Sequence, residues 1–345
     1  MTTNINDIAL PKISVVVVGL NEAKNLEKSL EAYYNMTYPR DKIELIYVDS
    51  GSTDNSMQIA QKYADIVTSK TSVWQTVGVV ANHGIKLSSC DIVHMSAGDI
   101  IVDKNYLELA VKRLIAQDDL CAVTGYFLEM RVSRWNKVMS YRRFEDDTSK
   151  EQYVSAPNGG TFKRRYLIDV NGYDERIKKG QETDLGIRLR DKGLKILNLN
   201  IPQGMHDFDL GSINTFIHRF YKDGKSLAYM WLLYCKEKDV RFSSYAKTGR
   251  SIFVSYSIVL ILTVLMSFLI SWIWSILFFL GCNALVAIRI LVKNRSKHRL
   301  YRVFSVVNSS CNLAVYFGMW SHFIWHYCLM AKGVDLLVVR KGLLD

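Results

Sequence analysis

The chain has 345 residues, 49% of them hydrophobic, and a net charge of +11. That is enough apolar material for one large α/β domain and a further region. The positive balance suits phosphorylated ligands and an anionic membrane surface; nucleic acid is the weaker reading, since no recognised nucleic-acid motif is present. The six cysteines (Cys90, Cys121, Cys235, Cys282, Cys311 and Cys328) lack metal-type spacing and read as buried thiols, not a disulfide framework. Met1 to Lys12 has no basic segment leading into an apolar one, so no signal peptide is expected. There is no internal repeat.

Ile13 to Val18 is a nearly continuous β-branched run, as expected of a strand buried on both faces. Gly19-Leu20-Asn21-Glu22 follows, then an amphipathic helix from about Asn25 to Met36. A second apolar run, Ile43 to Val48, ends in Asp49-Ser50-Gly51-Ser52-Thr53-Asp54 and enters an amphipathic segment, Met57 to Ala64. Two βα units thus put Asn21, Glu22, Asp49 and Asp54 on one sheet edge, where open α/β sheets bind ligands. The competing reading is an ordinary βα turn with Thr53 or Asp54 as N-cap. A further strand, Asp91 to Met95, ends in Ser96-Ala97-Gly98-Asp99; here Asp99 is either a ligand-site carboxylate or a turn residue. His94, in mid-strand, reads as a satisfied core residue.

Downstream, Ala156-Pro157-Asn158-Gly159-Gly160 precedes the basic triplet Lys163-Arg164-Arg165, which opens a helix. Glycines there allow close backbone approach to a ligand. In Gly180-Gln181-Glu182-Thr183-Asp184, Glu182 and Asp184 are two apart and point about 200° apart on a helix. Asp184 and Arg188 are spaced i,i+4 in the favourable order for an ion pair. Ile201-Pro202-Gln203-Gly204-Met205-His206 reads as a strand ending in histidine. An amphipathic helix follows, carrying Arg219, Lys222 and Lys225 and leading to Met230-Trp231-Leu232-Leu233, as an interfacial helix would.

Residues 252–291 carry no charge before Arg289. One helix over that length would run about 60 Å, twice the roughly 30 Å hydrocarbon core. A hairpin of two spans, 252–270 and 273–291, is therefore expected. Arg241, Lys247 and Arg250 precede it, and Lys293, Arg295, Lys297, Arg299 and Arg302 follow it. Basic flanks on both sides place them in the cytoplasm. A third apolar stretch, 303–331, holds Asn308, Asn312, His322 and His326 and is either spanning or re-entrant; Lys332, Arg340 and Lys341 beyond it oppose export.

On the residues Asn21-Glu22, Val48-Asp49-Ser50-Gly51-Ser52-Thr53-Asp54 and Gly180 to Arg190, the chain resembles the family-2 inverting glycosyltransferases over about residues 12 to 225. The resemblance implies an α/β fold, a Rossmann-like mixed sheet of the glycosyltransferase A type, with a nucleotide sugar, by expectation a UDP-sugar, as donor. It assigns Glu182 as the catalytic base; Asn21, Glu22, Asp49, Ser52, Asp54, Asn82 and Asp99 to the nucleotide sugar; and Asn158, Gly159, Gly160, Arg164 and Asp184 to the acceptor site. Asp99 with His206 would hold a divalent cation, Mg²⁺ or Mn²⁺; on the helix that follows, Arg219, Lys222 and Lys225 would either screen the diphosphate or rest on lipid headgroups. Two departures stand out. Ser96 and Gly98 replace the aspartates of the family's Asp-x-Asp, and Ala81 replaces the arginine of its Ala-Arg-Asn-x-Gly.

The organisation expected is an N-terminal tail (1–11), a catalytic domain (12–212), amphipathic interfacial helices (213–250), a transmembrane region (251–331) and a tail (332–345). Such a protein would sit in the cell (inner) membrane as a multi-pass protein with its catalytic domain in the cytoplasm. Its partners would be the nucleotide sugar, a lipid-linked or polysaccharide acceptor and membrane lipids. A polyprenyl-phosphate glycosyltransferase, and a catalytically degenerate membrane scaffold, are the alternatives.

Overall fold

The structure is a computed structural model that describes residues 8–72, 76–130, 151–207, 213–237, 256–262 and 272–293, and single positions between 316 and 324. The described chain divides into two units, with a boundary at Asp209/Leu210.

The first unit is built on β1 (Ile13–Gly19), α1 (Ala23–Glu31), β2 (Ile43–Asp49), α2 (Ser56–Ala60), β3 (Ile66–Ser69), α3 (Val77–Leu87), β4 (Ile92–Ala97), β5 (Ile100–Val102), α4 (Tyr106–Ala116), β6 (Leu120–Glu129), β7 (Gln152–Tyr153), β8 (Gly160–Lys163), α5 (Arg164–Asp169), α6 (Gln181–Asp191) and β9 (Lys195–His206). The strands form a mixed sheet in the order β3-β2-β1-β4-β8-β6-β9-β5, with β7 on β9. β1, β2, β3 and β4 are parallel neighbours, whereas β8 runs antiparallel to both β4 and β6.

The β-branched run of β1 is buried on both faces. Ile13, Val15 and Val17 join the cluster holding Leu26, Leu30, Tyr106 and Leu114. Val16 and Val18 join the one holding Val80, Ile85, Leu167 and Leu189. Two-residue alternation along a strand sends successive side chains to opposite layers, so the sheet lies between α1 and α4 on one side and α3, α5 and α6 on the other. Each such buried Val or Leu contributes about 1.5–3 kcal/mol. The α3 layer approaches closely: a Cβ on Gly84 would lie 2.2 Å from Val16 Cγ1, so even alanine would push the helix off β1.

The element ends differ from the sequence reading. α1 stops at Glu31 and tightens into a 3₁₀ turn over Ala32–Tyr34, and α2 is only Ser56–Ala60. β4 extends to Ala97, which pulls Ser96 into the strand and buries it. The short β5 pairs with the end of β9 and was not foreseen. His94 is buried, with Nδ1 3.1 Å from Thr161 Oγ1, as a core histidine should be; burial pushes its pKa down to about 3.

In the second unit, α7 (Ile213–Glu237) and α8 (Trp272–Lys293) are the long helices among the described residues. Ala228 and Met319 pack with Phe220, Leu227 and Trp231. Among the described residues no helix is long and apolar enough to cross a membrane, so the two-span hairpin gains no support. Asn283 and Arg289 lie within α8, while most of 252–270 and nearly all of 303–331, His322 and His326 included, lie outside the described residues. Leu280, Leu285, Ile288, Leu291 and Val292 of α8 are exposed.

Candidate functional site

The carboxyl ends of β1 and β2 carry two turns that are laced together. Asp49, 2% exposed, accepts from Gly51 N at 2.8 Å, Ser52 N at 2.7 Å, Ser52 Oγ at 2.6 Å and Tyr47 Oη at 3.3 Å. A carboxylate offers about four acceptor directions, so Asp49 is spent on its own turn. Ser52 Oγ in turn accepts from Asn21 N at 2.8 Å, and Asn21 Oδ1, on a left-handed residue with φ 57°, accepts from Thr53 N at 2.8 Å.

Asp54 completes the brace. Its Oδ2 accepts from Ala23 N at 3.0 Å and its Oδ1 from Ser56 N at 3.0 Å and Ser56 Oγ at 2.5 Å. The Ser56 hydroxyl, ahead of other causes, holds its pKa below the usual carboxylate value. Ser56 Oγ also accepts from Glu22 N at 2.9 Å. Asn21, Ser52 and Asp54 therefore bind one turn to the other. Asn55 occupies the N-cap position of α2 without a side-chain bond, and Asp54 Oδ1 instead receives the Ser56 N–H at the helix start, so the capping reading of Asp54 holds alongside its brace.

Beside this brace lies an acidic pole. Gly98 packs on Glu22, whose Cβ would be 2.9 Å from a Cβ at Gly98. Asp99 Oδ2 is 3.0 Å from His206 Nε2, so the fold brings the two expected cation ligands together across β5 and β9. Asp207, which the sequence reading missed, joins them: its N–H donates to Asp99 O at 3.2 Å, and its Oδ2 accepts from Lys24 Nζ and Asn25 Nδ2, each at 3.3 Å. The only sequence signal for it was its place after His206. Burial, and then the charges of Asp99, Asp54 and Asp207, push the Glu22 pKa up to about 7. Among the described residues no group of three or more His, Cys, Asp or Glu is placed to hold a metal. Asp99 and His206 nevertheless form a carboxylate-imidazole pair that suits a hard or borderline cation whose other ligands are phosphate oxygens and water.

Glu182 stands in the first turn of α6, entered through Gly180 at φ 86°. Both of its carboxylate oxygens are 2.7 Å from Gly159 N. Asn158, Gly159 and Gly160 all have positive φ (43°, 71° and 105°), the conformation that glycine adopts without strain; it turns the Gly159 N–H onto Glu182. Burial pushes the Glu182 pKa up to about 7 against the pull of that N–H. A carboxylate so tuned titrates near neutrality and can act as a general base.

Other expected site residues lie elsewhere. Asp184 is fully buried and bonds Arg188 through Oδ2, at 2.9 Å from Nε and 2.7 Å from Nη2; it faces the core, not an acceptor. Arg164 donates through Nε to Ile85 O at 3.1 Å, and its N–H to Asp91 O at 2.8 Å. β8 runs away from the site, from Gly160 opposite Met95 to Lys163 opposite Ile92, and carries Arg164 to the far end of the sheet. Asn82 bonds both N and O of Tyr173, at 2.8 and 2.9 Å, and Glu175 Oε1 at 3.0 Å, fastening α3 to the loop after α5 instead of reaching a nucleotide. Arg219 and Lys222 lie on α7 in the second unit.

Residues 14–169 match the model of Glycosyl transferase family 2. Glycosyltransferase AglE of Haloferax volcanii is 32% identical over 232 residues, 65% of this chain and 75% of AglE. Probable glycosyltransferase YdaM of Bacillus subtilis (strain 168) is 25% identical over 209 residues, 54% of this chain but only 48% of YdaM. Among solved structures, the mannosyltransferase PcManGT of Pyrobaculum calidifontis, in complex with GDP-Man and Mn²⁺, aligns with a TM-score of 0.57 at 16% identity over 91% of this chain and 88% of PcManGT, a likeness of fold.

Proposed function

Because the chain belongs to glycosyl transferase family 2 and so takes its sugar from a nucleotide-sugar donor, we propose that it transfers that sugar with inversion to a hydroxyl of a lipid-linked or polysaccharide acceptor, with Glu182 as the base. The observation that carries this reading is the Glu182 carboxylate, oriented by Gly159 N–H and raised by burial to about 7. An acceptor hydroxyl is a poor nucleophile at neutral pH, and a positioned carboxylate that removes its proton as the new bond forms contributes about 10²–10⁴-fold. Single displacement by that hydroxyl on the face opposite the departing diphosphate inverts the anomeric centre.

The laced turns of Asn21, Ser52 and Asp54 keep the nucleotide edge rigid. Asp99 and His206 would hold a Mg²⁺ or Mn²⁺ ion, which supplies charge neutralisation for the leaving diphosphate. The Mn²⁺ that accompanies GDP-Man in PcManGT motivates a Mn²⁺ arm in any assay. The net charge of +11 and the exposed apolar side chains of α8 favour attachment to an anionic membrane, with the catalytic unit on the cytoplasmic side.

The test is to incubate purified full-length protein with UDP- and GDP-sugars, with and without Mn²⁺, and read the anomeric configuration of the product by NMR. A retained configuration, or no turnover with any nucleotide sugar, would sink the reading. Flotation with vesicles containing anionic lipid tests membrane attachment; protein left at the bottom of the gradient would remove that part.

A further inference from the structure

Gln203 belongs to no motif that carries the family resemblance, yet its side chain is held in an unusual way. It is 2% exposed. Its Oε1 accepts from Thr124 Oγ1 and from Gly125 N, both at 3.0 Å. A backbone N–H can only donate, so the Gly125 contact fixes which end of the amide is oxygen and turns the NH₂ group the other way. The arrangement depends on an irregularity in the β6 register between Thr124 and Tyr126. It also depends on Gly125, where a Cβ would lie 2.6 Å from Ile201 O and 3.1 Å from Gln203 Cβ. Bulges of this kind re-aim groups beside active sites.

The freed Nε2 points to the loop that holds the base. A Cβ on Gly159 would lie 3.4 Å from Gln203 Nε2 and 3.3 Å from Met95 O, and the N–H of the same Gly159 binds Glu182. Among the described residues Nε2 has no hydrogen-bond acceptor, and it is not one of the sealed, unpartnered atoms, which include Tyr33 Oη and Ser96 Oγ. An amide donor that keeps a little solvent access is satisfied by water until a ligand group takes its place. Here its two N–H groups are fixed in direction, beside the loop that holds the proposed base, with no acceptor among the described residues to receive them.

We infer that Gln203 Nε2 donates a hydrogen bond to a sugar hydroxyl of the substrate at the reacting end of the site. The inference rests on the transferase reading above and extends it to a residue that selects for sugar. The hydroxyl belongs either to the sugar being transferred or to the acceptor, and the two sources are separable by experiment. Gln203→Glu keeps an oxygen facing Gly125 N–H and replaces the donor by an acceptor. Gln203→Met keeps the length and removes both.

The measurement is calorimetric affinity of full-length protein for UDP, GDP, UDP-glucose and GDP-mannose with Mn²⁺, together with kcat and KM for acceptor, on variants shown by thermal melt to be folded. Expected is a loss of about 10- to 100-fold in affinity for whichever nucleotide sugar the wild type prefers, with the bare nucleotide changed less than about twofold. A loss of the same size confined to acceptor KM also supports the inference and assigns the hydroxyl to the acceptor. Should both variants, or the one that folds, leave donor affinity and acceptor KM within about twofold of wild type, the inference fails. It fails too if bare nucleotide binding falls in parallel with that of the nucleotide sugar, since Gln203 would then serve only the fold. A wild type that binds bare nucleotide but turns over no nucleotide sugar overturns the transferase reading, and this one with it.

Discussion

The N–H of Gly159 donates to both carboxylate oxygens of Glu182, each at 2.7 Å. One shared donor fixes the orientation of the carboxylate without saturating it, since each oxygen keeps a lone pair for a substrate proton. Glu182→Gln keeps the shape and removes the basicity. Turnover should fall by about 10²–10⁴-fold, with donor affinity nearly unchanged. Near-normal turnover in the folded variant would remove Glu182 from the base position.

The same carboxylate sets a pH dependence of known sign. The folded pKa is raised from the usual 4.5 to about 7, so the base is protonated below that value, and kcat should rise as pH increases through about 7. Stability moves the other way. The folded state retains protons that the unfolded state releases, so this contribution is fully present below pH 4.5 and is lost as pH rises through 7. Glu22, also raised to about 7, has the same sign. Melting temperature measured from pH 5 to 8 should therefore decline, and less steeply in Glu182→Gln.

Asp184→Asn removes the charge that Arg188 pairs with while Arg188 also donates through Nη1 to Gly172 O at 2.6 Å. Breaking one partner out of a buried pair typically costs about 3–5 kcal/mol. For a domain of this size that is a fall in Tm of about 6–20 °C, read by thermal melt. A normally stable variant lacking activity would show that Asp184 acts on substrate after all.

Asp54→Ala severs the Ala23 and Ser56 contacts together and should loosen one turn from the other. The expected outcome is a rise in donor KM of about tenfold, with kcat changed little, because two or three hydrogen bonds worth about 1 kcal/mol each are partly replaced by water. Equal donor KM in wild type and variant would mean that the brace does not shape the donor edge.

Asp99→Asn leaves His206 without its carboxylate partner at 3.0 Å. If these residues hold the cation, donor affinity should become insensitive to added Mn²⁺ and turnover should fall steeply. A variant with the wild-type Mn²⁺ response would place the ion elsewhere.

Local pattern determined much of this chain. The β-branched run from Ile13, the acidic turn after Val48 and the glutamate opening a helix at Glu182 each declare their element and sheet edge, because side-chain period and turn chemistry act over a few residues. The i,i+4 spacing likewise announced the Asp184–Arg188 pair. What a polar side chain bonds to was decided only in three dimensions. Asp54 meets Ala23, Asn82 meets Tyr173 and Asp207 meets Asp99 across tens of residues or more of sequence, through strand order and register. The antiparallel insertion of β8 between β4 and β6 both sets Gly159 on Glu182 and carries Arg164 to the far end of the sheet, so two neighbours in one sequence block part company. Hydrogen bonds are short and directional, so a role that depends on a partner far along the chain becomes visible only when the sheet is assembled.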